Sequence, residues 1–164
     1  MDEAAAYSSG PTPDRVELRP TNYFAPLDLT AIFPRVAPLE IDLGCGDGTF
    51  LVGRAAQFPG RNFLGIERLV GRVRAASGRA ARAKLPNVRV LLIESAYAIQ
   101  YLFPPNSIAA VHLLFPDPWP KKRHHRRRIV TRDFLGAVHR ALAPDGLLRI
   151  ATDQRDYFEA IREL

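Results

Sequence analysis

Five short apolar runs, Leu39–Leu43, Phe63–Ile66, Val88–Ile93, Ala109–Phe115 and Leu147–Ala151, alternate with longer amphipathic stretches. This alternation leaves the chain very few folds. Runs of this length and composition suit strands covered on both faces. Thr49–Phe58, Leu69–Leu85, Ala96–Phe103 and Thr131–Leu142 read as helices, and a last helix begins near Tyr157. Because crossovers between parallel strands are right-handed, the pattern predicts an α/β fold, a doubly wound and mainly parallel sheet with helices on both faces. Ligands in such sheets bind beyond the carboxyl ends of the strands. Gly44–Gly48, Glu67, Glu94, Asp117–Lys121 and Thr152-Asp153 fall at those ends, which is where the chemically informative residues cluster.

Ahead of this domain, which runs over 39–164, residues 1–38 hold six prolines and little periodicity. They read as a proline-rich, partly disordered arm that becomes ordered on approaching the core. The first six residues are acidic and lack an apolar core, so no signal peptide is expected. No apolar run approaches the roughly 20 residues of a membrane span. Cys45 is the single cysteine, which excludes an intrachain disulfide and a cysteine-based metal site. A cytoplasmic protein, without membrane or metal partners, is the expectation; its oligomeric state is not legible.

The first predicted strand runs into Gly44-Cys45-Gly46-Asp47-Gly48 and then into a helix. Glycines at such a turn let a ligand approach the backbone, so Gly44 and Gly46 are candidate cofactor contacts. The spacing is G-x-G-x-G, and Thr49 stands where a dinucleotide fingerprint has its last glycine, which disfavours pyrophosphate. Glu67 closes the second strand 23 residues after Gly44 and is placed to accept both hydroxyls of a ribose. Glu94 closes the third, either for the amine of an adenine or as a helix N-terminal charge. Glu40 and Asp42 are acids inside a central strand, costly unless paired; one caps the loop or meets a ligand ammonium. An amino acid fused to adenosine, S-adenosylmethionine, fits this set better than a dinucleotide. A nicotinamide-dependent oxidoreductase is the rival on the same fold.

The fourth strand delivers Pro116-Asp117-Pro118-Trp119-Pro120, whose three prolines stiffen the loop around Asp117. Trp119 offers a stacking face for a base. Lys121 to Arg128 follow directly and carry six cations, the whole of the net charge of +6. Such a local excess suits a polyanion, with Lys121 near the substrate and Arg123 to Arg128 along a nucleic-acid backbone. His124 and His125 lack the partners or helical spacing of metal ligands. A second basic set, Arg68, Arg72, Arg74, Arg79, Arg82, Lys84 and Arg89, contains no acid between Glu67 and Glu94; it either extends the RNA surface or is a solvated face. Asp153 ends the fifth strand, as a base contact or a helix N-cap.

In this order, Phe115-Pro116-Asp117-Pro118-Trp119 with Lys121 and the Arg-His cluster, Gly65-Ile66-Glu67, Arg127-Arg128-Ile129-Val130 and Ala151-Thr152-Asp153 resemble the bacterial tRNA (guanine-N7)-methyltransferase family. That resemblance spans roughly Leu39 to Leu164 and implies a class I, Rossmann-like methyltransferase that moves a methyl group from S-adenosylmethionine to N7 of a guanine in the tRNA variable loop. It implies cofactor contacts at Glu40, Glu67, Glu94 and Asp117, with Asp117 also in the active site. It further implies substrate contacts at Lys121 and Asp153, and tRNA contacts at Arg123, His124, His125, Arg126, Arg127 and Arg128. Members of that family continue past the helix after Ala-Thr-Asp with two more strands. The resemblance therefore implies a sheet lacking its last two strands and carrying an open edge, and a non-catalytic tRNA-binding remnant is the alternative reading.

Overall fold

In the computed structural model, which describes residues 12–164, β2 (Leu39–Leu43) forms the axis of a six-stranded, all-parallel sheet. Every residue of β2 is buried. Its side chains alternate: Leu39, Ile41 and Leu43 enter the larger apolar core, while Glu40 and Asp42 face the opposite side. From β2 the chain passes through α3 (Thr49–Gln57) to β3 (Asn62–Glu67), then through α4 (Val70–Arg82) to β4 (Val88–Leu92). It returns through α5 (Ser95–Tyr101) to β5 (Ile108–Leu114) on the other flank of β2, and through α6 (Arg132–Ala141) to β6 (Leu142–Ala151) and α7 (Arg155–Arg162). Before β2 come α1 (Pro13–Val16), β1 (Glu17–Leu18) and α2 (Leu29–Ile32).

The strand order is β1-β4-β3-β2-β5-β6. Direction of travel across the sheet reverses between β3 and β5, so the crevice at the carboxyl end of β2 is the topological switch point where doubly wound folds hold ligands. Two apolar layers flank the sheet. Val73, Ala76 and Ala80 of α4 pack with Leu51 and Ala55 of α3 and with Val16. Ala98 and Ile99 of α5, Phe134 and Val138 of α6 and Tyr157 of α7 join Leu27 and Phe33 in the other.

All five expected strands and all five expected helices are present, and the departures have local causes. The helix expected to reach Leu85 stops at Arg82 because Lys84 takes a left-handed φ of 54°. Leu85 N–H then reaches the Ala80 carbonyl and Lys84 N–H that of Ala81, a closed carboxyl-terminal turn just before Pro86. β6 begins at Leu142 rather than Leu147, since Leu142 pairs with Ile108 before the chain bulges out. The bulge carries Pro144, Asp145 at φ 64° and Gly146, residues that read as a turn. β1, only two residues long, pairs Glu17 with Val90 and Leu18 with Leu91, giving the sheet an edge that residues 1–38 do not advertise. Residues 1–11 of that arm lie outside the described residues. Among the described residues β6 is the opposite edge, with Leu147 half exposed on it. No helix among them is long and apolar enough to cross a membrane.

Candidate active site

Where β2 ends, Gly44, Gly46 and Gly48 all take positive φ, 77°, 58° and 79°. Gly44 and Cys45 N–H donate to the Ile66 carbonyl, folding the loop over the end of β3. Gly48 is the most constrained of the three: a Cβ there would lie 2.8 Å from that of Ala76 on α4. Gly48→Ala therefore combines a disfavoured conformation with a clash, and is expected to cost about 2–4 kcal/mol in chemical denaturation.

The turn rests on Glu67. Its carboxylate accepts Gly46 N–H at 3.1 Å, Arg68 N–H at 2.8 Å and Leu69 N–H at 2.9 Å, and it is buried. A carboxylate has about four acceptor positions, so a hydroxyl can still be accommodated. A cavity of about 360 Å³ opens above it, at the switch point. Its walls include Leu43, Gly44, Glu67, Glu94, Asp117 and Trp119, with the cations Arg68 and Arg72 on one side and Arg127 on the other. Residues from the ends of β2, β3, β4 and β5 thus meet at one crevice, as the alternation of strands and helices implies.

The two acids of β2 part company. Glu40 is taken up by two guanidinium groups, Arg54 Nε at 2.6 Å and Arg61 at 3.1 Å, and by the imidazole of His112, whose Nε2 lies at 2.8 Å. Burial alone would raise its carboxyl, but the Arg54 and His112 hydrogen bonds outweigh this and hold it below the usual range. Burial keeps His112 below its ordinary value, so the pair reads as carboxylate and neutral imidazole. Neither Glu40 nor Asp42 lines the cavity; Glu40 is engaged in a charged cluster of its own, away from the expected cofactor contact. Asp42 is the other of the two strand acids that the sequence leaves open, where the family resemblance implies Glu40. It is buried beside Glu67, accepts no hydrogen bond among the described residues, and is pushed up to about 7 by burial and then by the Glu67 charge. Its position two residues before Gly44 is the signal that favours it over Glu40, because ligands reach the carboxyl end of a strand first. The neighbouring Cys45 thiol is buried and pushed well above its ordinary range.

Glu94 combines both roles considered for it. It caps α5, accepting Ala96 N–H at 3.0 Å and Tyr97 N–H at 2.7 Å, and it also stands in the cavity wall. Asp117 is exposed at the cavity mouth. Its loop is bounded by Phe115 at φ 50° and Trp119 at φ 44°, left-handed conformations that cost bulky residues of order 1–3 kcal/mol each. Trp119 has the Arg127 guanidinium over its ring, 4.8 Å from the centroid, and the His124 ring at its edge.

The cationic segment continues as a 3₁₀ helix over Lys122–Arg127, with Lys121, Lys122, Arg123, Arg126 and Arg127 exposed and His124 and His125 half-buried. Arg128 departs from the expected RNA-facing role. It is buried, its Nε donates to the Pro118 carbonyl at 2.8 Å, its other nitrogen pairs with Asp156, and its guanidinium covers the Tyr157 ring. Arg128 thus ties the Asp117 loop to α7. Arg128→Gln is expected to lower stability by about 2 kcal/mol in denaturant titration, whereas Arg126→Gln leaves it unchanged. Lys121 and Asp153 are exposed and stand outside the cavity wall. Asp153 does not cap α7; Thr152 Oγ1 accepts the Gln154 N–H at 3.2 Å instead.

Comparison with known proteins agrees with this geometry. Among solved structures, the antibiotic-resistance methyltransferase Kmr superposes with a TM-score of 0.56 at 25% identity, over 79% of this chain and 68% of that one. Haemonchus contortus phosphoethanolamine N-methyltransferase 2 in complex with S-adenosyl-L-methionine gives 0.54 at 21% identity, over 85% of this chain and 30% of that one, a likeness of fold. The tRNA (guanine-N(7)-)-methyltransferase of Sodalis glossinidius is 43% identical over 140 residues, covering 85% of this chain and 59% of the relative. That of Thermotoga maritima is 39% identical over 142 residues, covering 86% and 45%. The chain spans about three fifths of the length of the first such relatives. A family described as "Putative methyltransferase" matches residues 36–164, the whole of the sheet from β2 onward, and the chain belongs to that family.

Proposed function

We propose that this chain is a tRNA (guanine-N7)-methyltransferase, using S-adenosylmethionine to methylate N7 of a guanine in the tRNA variable loop. The observation that carries the reading is the cavity at the switch point, which joins Glu67, Asp117 and Trp119 to cations on both rims. Relatives named for that activity at 38–43% identity support it.

The residues present suit the donor. Among the described residues Asp42 is a buried carboxylate without a hydrogen-bonding partner beside the glycine turn, the feature an ammonium group would complete. Glu67 retains acceptor capacity for a ribose, Glu94 stands in the wall for the adenine side, and no pyrophosphate cradle is present in the G-x-G-x-G turn. When bound, S-adenosylmethionine supplies an electrophilic methyl group.

Guanine N7 carries an in-ring lone pair and no proton, so the protein has no need of a general base to create the nucleophile. Catalysis then rests on alignment and on fixed charge. Asp117 accepts from the N–H edge of the guanine and offsets the positive charge that grows on the purine. Lys121 and Asp153 hold the nucleotide from the same edge of the sheet. Trp119, steadied by Arg127 and His124, stiffens the platform against which the base rests, and the prolines around Asp117 lower the ordering cost on binding. Exposed cations from Lys121 to Arg127 attract the phosphates. A cytoplasmic location belongs to this proposal.

Incubation with methyl-labelled S-adenosylmethionine and tRNA, followed by nucleoside analysis, tests it. Label in 7-methylguanosine is expected. Label in another nucleoside overturns the specificity, and tRNA binding without transfer favours the binding remnant.

A further inference from the structure

The basic set on and around α4 is not explained by packing. From Arg68 to Ile93 there are seven cations and no acid, an unusual composition for a solvated helix, where mixed signs at i,i+4 spacing are the stabilising pattern. The structure sorts these cations. Arg89 is spent on the Pro86 and Val88 carbonyls and the Phe33 ring. Arg72, Arg79 and Arg82 fall within an arc of about 80° on α4 at 100° per residue, and Arg68 continues that line beyond the helix start. Arg74 lies about 120° from the centre of the arc.

This line begins in the active-site wall, where Arg68 and Arg72 stand, and passes the glycine turn, where Arg79 donates to the Asp47 carbonyl and carboxylate. It ends at Arg82, roughly 20 Å from Arg68 along the helix. Arg72 is nearly 4 Å from the Glu67 carboxylate, and Arg68 and Arg82 make no ion pair among the described residues. The helix dipole favours cations at the carboxyl end of α4 but opposes Arg72 in its first turn. Adjacent like charges along one face also repel. An arrangement that costs stability at one end and runs from the cavity mouth, past the Arg79–Asp47 pair, to Arg82, unpaired among the described residues, fits an extended anion.

We infer that the Arg68–Arg72–Arg79–Arg82 line of α4 is a second RNA-binding surface, one that holds the sugar–phosphate backbone of the same tRNA on the side of the cavity opposite Lys121–Arg127. The inference rests on the proposed tRNA substrate. It makes the cavity a cleft between two cationic walls, so that a base is presented with its strand held on both sides.

Two variants with the same change of charge test it. Arg82→Glu is on the line but far from the cavity; Arg74→Glu is nearer the cavity but off the line. The two positions are separated by about 12 Å along the axis, more than the Debye length of about 8 Å at physiological salt. Arg82→Glu is expected to weaken tRNA binding about tenfold and to lower the salt slope of log affinity by about 1. Arg74→Glu is expected to change binding less than about twofold, and both should bind S-adenosylmethionine as the parent chain does. Equal losses from the two variants, or an unchanged salt slope for Arg82→Glu, overturn the surface while leaving a parent chain that methylates tRNA intact as a methyltransferase. A parent chain that binds the donor but no tRNA overturns both.

Discussion

Asp117→Ala retains S-adenosylmethionine binding to within a few-fold, while methyl transfer to tRNA falls by about 10²–10³-fold. Asp117 is exposed at the cavity mouth and accepts no hydrogen bond among the described residues, so its removal leaves no buried partner behind and costs little stability. The loop that presents it is held independently, by the Arg128 tie to Pro118 and by the prolines on either side. Loss of turnover at constant stability therefore isolates its chemical contribution. Single-turnover kinetics with saturating donor read this directly, and an unchanged transfer rate removes Asp117 from the mechanism.

Asp42→Asn is expected to make the free protein more stable at alkaline pH and a poorer binder of the donor. In the fold its carboxyl is pushed up to about 7, against about 3.9 in an unfolded chain. A raised value means that its favourable contribution is complete below about pH 4 and is lost as pH rises through 7. The ionised form costs of order 4 kcal/mol by pH 8, because the charge is buried beside Glu67 with no donor to meet it among the described residues. Asparagine avoids that cost. Denaturant titrations should show the variant and parent matching near pH 4 and diverging by about 2–4 kcal/mol at pH 8. A bound ammonium group would offset the same charge, so donor affinity at pH 8 should fall tenfold or more in the variant. Parallel stability profiles, or unaltered donor affinity, contradict the assignment of Asp42.

These two residues also mark what the sequence makes legible. Asp117 is singled out by its neighbours in the chain, since prolines and an aromatic beside a cationic run carry their meaning locally. The central strand was equally legible: β2 occupies the expected Leu39–Leu43 because an apolar run between turn residues has few alternatives. Choosing between Glu40 and Asp42 required tertiary information. Both lie on one face of one strand, and the difference between them is made by Arg54 and Arg61, which lie on and just beyond the following helix, and by His112 on the neighbouring strand. Arg128 is similar, since its chain neighbours are RNA-facing cations and its partners, Asp156 and Tyr157, arrive 28 and 29 residues later. The left-handed Phe115 and Trp119 were beyond reach for a different reason: bulky residues disfavour that conformation, and only the surrounding structure imposes it.

The central claim is that the switch-point cavity is built for a methyl donor. Calorimetric titration of the purified chain with S-adenosylmethionine and, separately, with NAD tests it most directly. Saturable binding of S-adenosylmethionine that weakens at least tenfold in Asp42→Asn, with no measurable binding of NAD, is the predicted result; binding of NAD in its place contradicts the account.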